Sequence, residues 1–417
     1  MSVDAPRRAA PRRNRRRPGP PAAKAWRFGF PVVLAGLIVL TVMLSATGAR
    51  LVLDSRDGQV GRSEQDPAKP GYLATVPSTP LLLVVHADAD QNIYGAVVMT
   101  LGTDDKGGWA VFLSPDTLVA PGKDGSLEAI FEKYGVDQAD TGYGLRSSLS
   151  TLFGADIDAT VTVDATSLAP LIEPVGPLEY QNAKAVRTTK NGKTTTVLAA
   201  GPVHIRSADE IAAAIETLGS GEEPQDRTQR QSAFWLAWIN AVQQAPDQAF
   251  PSGSNATGLG RFLTGLAADT PKSTLLPTVR FGDAVVADTV ALAKILPDVV
   301  PYPRQEGVRL NVAVLNGVGD LALNTPMERQ LVAAGAQFAS RGNPDSFGVA
   351  KTSVVYHDAA LAVRATALAS AIGATDVRFE EKVDSEIQVT VTIGADFDAS
   401  EPTATATTPS TSTGAPR

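Results

Sequence analysis

The sequence predicts a mixed α/β protein, with two folded domains carried behind one membrane-spanning helix. Three observations predict it. An uncharged apolar run extends from Phe28 to Ala49. Beyond it, short apolar or alternating strands interleave with capped amphipathic helices. A proline cluster, Pro297, Pro301 and Pro303, then divides that pattern in two.

The first 27 residues hold nine Lys and Arg against one acid, Asp4, a segment of about +8 that is also rich in Pro and Ala. Such a composition predicts a disordered basic tail, 1–27, on the cytoplasmic side. The run 28–49 is long enough for the hydrocarbon core, which takes about 20 helical residues. Positive charge before the run keeps the N-terminus in the cytoplasm and places the bulk of the chain outside. Trp26 stands where an interfacial aromatic is expected. A cleaved signal peptide is the competing reading, since Ser45-Ala46-Thr47-Gly48-Ala49 offers small residues at the end of the run.

The whole chain carries −7, so the part beyond the tail carries about −15. That acidity argues against general nucleic-acid binding and requires any anionic ligand to find a local Arg or Lys cluster. There is no Cys, which excludes disulfides and thiol chemistry, and only three His. A structural zinc site is therefore not expected.

Residues 50–78 read as a linker, rich in Gly, Pro and charge. In 79–296, Leu81-Leu82-Leu83-Val84-Val85 reads as a buried strand. Gly95 to Gly102 and Trp109 to Leu113 follow as strands around the turn at Asp104 to Gly108. Ser126 is placed to cap a helix carrying Leu127, Ile130, Phe131 and Tyr134 on one face. Leu145 to Phe153 reads as a helix and Ala159 to Val163 as a strand. Ser207 with Glu210 forms a capping box for a helix reaching Leu218. Thr228 to Val242 is amphipathic and carries Trp235 and Trp238.

Residues 297–307 form a second linker. In 308–397, Val308 to Leu315 alternates as a half-buried strand, turned by Asn316-Gly317-Val318-Gly319 and followed by a helix to Ala334 that Gly335 stops. Thr352 to Tyr356 is a strand, Ala359 to Ile372 a helix, and Glu386 to Ile393 a last strand. This is a small α/β layer. From Asp398 to Arg417 the composition falls to Thr, Ala, Ser and Pro, which predicts a disordered tail.

Segment 308–397 resembles the LytR C-terminal domain of actinobacterial envelope proteins. The resemblance rests on Val314-Leu315-Asn316-Gly317-Val318-Gly319, on Ala350 to Tyr356 and on Val391-Thr392-Ile393-Gly394-Ala395-Asp396-Phe397. Segment 79–296 resembles the LytR-CpsA-Psr domain, whose members move glycopolymers from polyprenyl-pyrophosphate carriers onto the cell wall. It does so at Leu81 to Asp90, at Asp116-Thr117, at Leu152 to Asp158 with Val161 to Asp164, and at Asp226-Arg227-Thr228-Gln229-Arg230-Gln231, which matches an Arg-x-x-Arg-Gln signature. The resemblance implies an α/β/α fold around a mixed sheet.

It also implies a pyrophosphate held by arginines, which grip phosphate oxygens bidentately, and a Mg2+ held by acids. Arg227 and Arg230, one helical turn apart, are the candidate phosphate-binding residues. Asp88 is the candidate metal ligand, and Trp235 and Trp238 are candidates to line a prenyl groove. Each has a plainer reading. The arginines can pair with Glu222, Glu223 or Asp226, the acid can be a solvated loop residue, and the tryptophans can be core. The other family arginines are missing: Gln91 and Asn92, Ile93-Tyr94-Gly95, Ser114-Pro115 and Glu216-Thr217-Leu218 stand at their places.

Two functions follow from the resemblance. One is a non-catalytic envelope protein at the membrane, binding polyprenyl-phosphate-linked glycans, peptidoglycan or envelope proteins in cell-wall assembly or integrity. The alternative is an active phosphotransferase in which Lys184, Arg187, Lys190 or Arg206 supplies the lost charge. A regulatory role for the basic tail, through anionic lipid or a cytoplasmic partner, stands as a third reading.

Overall fold

Five consecutive apolar residues cannot form a strand with one face in water, and Leu81–Val85 does not. With elements numbered from a short strand at Leu73–Thr75 (β1), this run lies in β2 (Leu81–Ala87), which is buried at every position. The computed structural model describes residues 64–400, apart from 103, 121, 123, 138–142, 251–257 and 383–385. It also describes two short strands, Ser55–Arg56 and Gln59–Val60, that pair antiparallel. The basic tail 1–27, the apolar run 28–49 and residues 401–417 of the C-terminal tail lie outside the described residues. Among the described residues no helix is long and apolar enough to cross a membrane.

After β2 come β3 (Ile93–Leu101), β4 (Gly108–Leu113) and β5 (Thr117–Leu118), then α1 (Leu127–Tyr134), α2 (Leu145–Phe153) and β6 (Ala159–Val163). Next are α3 (Ala165–Ile172), the strands β7 (Leu178–Asn182), β8 (Val186–Lys190), β9 (Lys193–Leu198) and β10 (Gly201–Ile205), then α4 (Ala208–Ile215) and the long α5 (Pro224–Gln244). The domain closes with α6 (Leu259–Ala267), β11 (Lys272–Leu275), β12 (Thr278–Phe281), β13 (Ala284–Ala287) and α7 (Thr289–Val299).

The central sheet runs β11-β4-β3-β2-β6. β3 is antiparallel to both neighbours, while β6 and β11 lie parallel to theirs. Successive residues of a strand face opposite ways. Leu82, Val84, Val97 and Phe112 therefore meet Leu168, Ile211, Trp235 and Phe262 from α3 to α6. Leu83, Val85, Val98 and Val111 meet Leu127, Ile130, Leu149 and Leu292 from α1, α2 and α7. This is the expected α/β/α sandwich on a mixed sheet. The caps read from the sequence form: Ser126 Oγ accepts from Ala129 N at 3.1 Å, and Ser207 and Glu210 exchange bonds at 3.3 and 3.0 Å.

The second domain is built from β14 (Leu310–Asn316), α8 (Asn324–Ala333), β15 (Ala336–Gly342), β16 (Ser353–Tyr356), α9 (Ala362–Ala371), β17 (Asp376–Phe379) and β18 (Val389–Ile393). Its sheet runs β17-β16-β18-β14-β15-β1. Val312, Val314, Val389 and Val391 pack on Leu331 of α8 and Leu368 of α9. Strands β15 and β17 were not anticipated. Nor was β1, which comes from the stretch 50–78 read as linker and pairs antiparallel with β15. Asn343 holds the approach to β1, donating from Nδ2 to Pro67 O at 2.8 Å and Lys69 O at 2.7 Å. The backbones come so close there that a Cβ on Gly342 would sit 2.0 Å from Tyr72 O, which requires glycine.

The second stretch read as linker, 297–307, is equally fixed. Its first residues finish α7. Thr79 N donates to Tyr302 O at 2.9 Å, Tyr302 N donates to Thr79 Oγ1 at 3.0 Å, and Asp156 N donates to Arg304 O at 2.7 Å. Residues 64–417 accordingly form one unit in which both expected domains take part.

Candidate functional site

The residues singled out in the larger domain converge where β2 turns into β3 against the first half of α5. The turn is tight, with Gln91 at φ 66, and Asp88 organises it. Its Oδ1 accepts from Asp90 N and Asn92 N, each at 2.9 Å, and its Oδ2 accepts from Asn92 Nδ2 at 2.9 Å and Tyr94 OH at 2.6 Å. Tyr94 and Asn92 hold the carboxyl down to about 2, so it is ionised. A carboxylate has about four lone-pair positions, and four donors fill them. A carboxylate so occupied has nothing to offer a cation. Among the described residues no group of three or more His, Cys, Asp or Glu is arranged to hold a metal ion. The donor set therefore does not fit Mg2+.

The Arg-x-x-Arg-Gln signature opens α5 and meets the end of α4. A helix leaves its last four carbonyls without partners. Those of Ala214 and Ile215 in the last turn, and the carbonyls of Glu216 and Thr217 just beyond it, are taken one by one. Arg230 Nε donates to Ala214 O at 2.8 Å and Gln231 Nε2 to Ile215 O at 2.7 Å. Arg227 NH1 donates to Glu216 O at 3.0 Å and Arg230 NH2 to Thr217 O at 2.6 Å. Two guanidinium cations also suit the negative end of the helix dipole. This explains why α4 stops at Ile215 and not at Leu218. The motif is a side-chain cap reaching across from another helix.

Arg230 is closed further by Glu222, NH1 to Oε1 at 2.7 Å, with both side chains under a tenth exposed. Asp226 takes Lys184 and Glu223 takes Arg280. Each nitrogen of the Arg230 guanidinium thus has a partner within the fold. Arg227 is less fully used. Its guanidinium lies 5.4 Å from the Tyr94 ring centroid, and its Nε is buried without a partner. Burial and the nearby Arg230 charge lower its pKa. Around it, burial raises the Glu216 carboxyl against the bond from Ala165 N, and Asp164 and Asp88 add to the rise. Of the two arginines, Arg227 keeps one unspent donor, its buried Nε.

Trp235 and Trp238 are fully buried, their ring centroids 5.1 Å apart. They lie in the core cluster with Leu82, Val84 and Phe112, the plainer of the two readings. Trp235 Nε1 donates to His86 Nε2 at 2.9 Å. That bond takes the imidazole's lone pair, and burial pushes the ring down to about 3. His86 is thus a neutral acceptor with no proton to give or take near neutrality. Gln231 completes the junction, donating to Tyr94 O at 3.1 Å. Its Oε1 lies 2.6 Å from where a Cβ on Gly95 would stand, so only glycine admits the amide. His86, Tyr94 and Gln231 are the residues that sequence reasoning missed here. The signal was a polar residue at the end of each apolar strand, which has meaning only once α5 is laid over it.

In the smaller domain the motif residues serve turns. Asn316 Oδ1 accepts from Val318 N and Gly319 N, and its Nδ2 donates to Asp320 O and Asn324 Oδ1. Asp396 Oδ1 accepts from Thr352 N at 2.6 Å and Thr352 Oγ1 at 2.8 Å.

Residues 309–397 match the LytR_C family model, described as LytR cell envelope-related transcriptional attenuator. This part of the chain is a LytR_C domain, as its motifs implied. No curated protein matches the chain. Among solved structures, TagV of B. subtilis is 17% identical, with 54% of this chain and 99% of that one covered at a TM-score of 0.40. TagT of B. subtilis is 16% identical, with 57% and 93% covered at 0.40. A TagT structure described as bound to LIIa-WTA is 15% identical, with 58% and 95% covered at 0.40. These are distant likenesses.

Proposed function

We propose that this chain is a non-catalytic protein of the cell envelope. In this reading the run 28–49 anchors it in the membrane, the bulk lies outside the cytoplasm, and it acts in cell-wall assembly or integrity by binding a glycan, a lipid-linked carrier or a protein. The observation that carries the reading is the cap on α4. The residues that a phosphotransferase of the resembled family would turn towards pyrophosphate are here turned inwards, onto the carbonyls of Ala214 to Thr217. Catalysis by charge stabilisation needs donors free to meet charge as it develops, and bonds already made within the fold are not free.

The test is a transfer assay. The purified full-length chain in detergent, given a polyprenyl-pyrophosphate-linked glycan, Mg2+ and peptidoglycan, should transfer no sugar above the rate without protein. Transfer above that rate overturns the reading. Protease added to intact cells should digest residues 64–400 while sparing the basic tail. Protection of 64–400 would sink the placement.

One observation favours a second reading. The Nε of Arg227 is buried with no hydrogen-bond partner, an unspent donor of the kind a phosphate oxygen takes. If the carrier is held there, a polyprenyl-phosphate analogue binds the wild type and is lost on Arg227→Gln, with the fold monitored by circular dichroism.

A further inference from the structure

The strap 302–309 and β1 hold the two domains apart as well as together, leaving a cleft of about 1210 Å³ between them. Asp104 and Asp158 line it from the larger domain, Asn311, Gln337 and Gln388 from the smaller, and Tyr302 from the strap. Asn311 and Gln388 alternate with Val312 and Val389, which pack towards α8 and α9.

We propose that this cleft binds a neutral oligosaccharide chain. The inference rests on the envelope-binding reading above and names its ligand class. Charge excludes other classes first. The cleft's arginines are already engaged: Arg261 pairs with Asp105, Arg304 with Glu306, and Arg309 donates to the carbonyls of Gly154, Val332 and Ala336. Asp104 and Asp158 remain, so a polyanion is repelled. The lining is mixed, with Val76, Pro80, Pro303 and Phe338 among the polar side chains, which suits a ligand that is itself both polar and apolar. A peptide strand would pair with a sheet edge, but β14 and β18 have neighbours on both sides. The volume exceeds the range of about 300–1,000 Å³ usual for small ligands, which suits an oligomer.

What remains matches hydroxyl groups, which donate and accept at once. Gln337 uses its Oε1 to accept from Gln305 N at 2.8 Å, and Gln388 uses its Oε1 to accept from Asn311 N at 2.9 Å. Each amide oxygen is thereby fixed, and each Nε2, with no partner among the described residues, is a positioned donor facing the cleft. Asn311 is turned the other way: its Nδ2 donates to Glu386 O at 2.7 Å, which leaves the Oδ1 as acceptor. Asp158 spends Oδ2 on Leu81 N at 2.7 Å and keeps Oδ1. Two donors and one acceptor from the smaller domain, one acceptor from the larger and Tyr302 in the same lining fit a sugar ring that offers hydroxyls at its rim and an apolar face.

The test is titration calorimetry of the full-length chain in detergent with a β-1,4-linked N-acetylglucosamine tetramer, for the wild type and for Gln337→Glu/Gln388→Glu. The double variant keeps both accepting oxygens, so the fold is retained, and it removes both free donors. Wild-type binding reduced tenfold or more in the variant, with an unchanged melting temperature, is expected. Equal binding by both proteins, no binding by the wild type at millimolar sugar, or binding of a wall stem peptide in place of the sugar overturns the proposal. The transfer assay above does not depend on this cleft, so a failure here leaves the non-catalytic reading standing and a failure there leaves the cleft result intact.

Discussion

Two arginine caps close helix ends in this molecule, and they are balanced differently. At α4, Arg227 and Arg230 cover three carbonyls and Gln231 a fourth, and Glu222 neutralises Arg230 in a nearly dry setting. At the domain boundary Arg309 bridges two helix ends, donating to Gly154 O after α2 and to Val332 O near the end of α8. Among the described residues it has no carboxylate partner, and burial pushes it down to about 10, still charged at neutral pH. The first cap is an interior device: it holds one domain's own loops, and removing a member strands a buried charge. The second is a joint between domains, made from dipoles alone and open on one side to the cleft. The same side chain thus gives rigidity in one place and a separable contact in the other.

The largest expected effect breaks the interior cap. Arg230→Ala leaves Glu222 buried without its partner and should destabilise the fold by about 3–5 kcal/mol, read by urea denaturation. A loss under about 1 kcal/mol would mean that the pair is not closed in solution. Arg309→Ala should have a smaller effect, about 2 kcal/mol for carbonyls that water can reach in its place. Limited proteolysis should then cut within 297–307 before either domain is digested. A global loss as large as that of Arg230→Ala would erase the distinction between the caps.

Next is acid. His86 titrates near 6.5 when unfolded and near 3 when folded, so the unfolded chain takes up a proton that the folded chain refuses. Its stabilising contribution is complete above about pH 6.5 and falls by about 1.4 kcal/mol per pH unit as pH drops towards 3. His86→Asn should remove this share of the slope in a wild-type-minus-variant comparison. Identical slopes would place a proton on the folded ring. The smallest effect belongs to the surface. Lys184→Ala breaks an exposed pair with Asp226 at 2.8 Å and should cost about 0–1 kcal/mol, vanishing in high salt.

The parts legible in the sequence are those that local chemistry settles. Ser126 and the Ser207/Glu210 box cap the helices they were read to cap, Leu81–Val85 is buried on both faces, and the alternation after Val308 gives β14, although Val308 itself is 62% exposed and stays out of the strand. β1 was not legible because Leu73-Ala74-Thr75 sits among Gly, Pro and charge, and only the distant edge of β15 makes it a strand. The candidate site was half legible. The spacing of Arg227, Arg230 and Trp235 put them on α5, and Glu222 was among the acids expected to pair. What they face was hidden, because it depends on where the end of α4 falls, and no periodicity carries that.

The clasp between Asn343 and Pro67 joins residues 276 positions apart. On a ribosome the first part of the smaller sheet emerges before any of the larger domain, yet it cannot pair until the chain is nearly finished. The larger domain has all its own strands by then and can close alone, whereas the smaller one must wait with an open edge. Contacts so distant slow assembly and expose unpaired strands on the way. A truncation that removes residues 64–76 would therefore damage the part of the protein furthest from it in sequence.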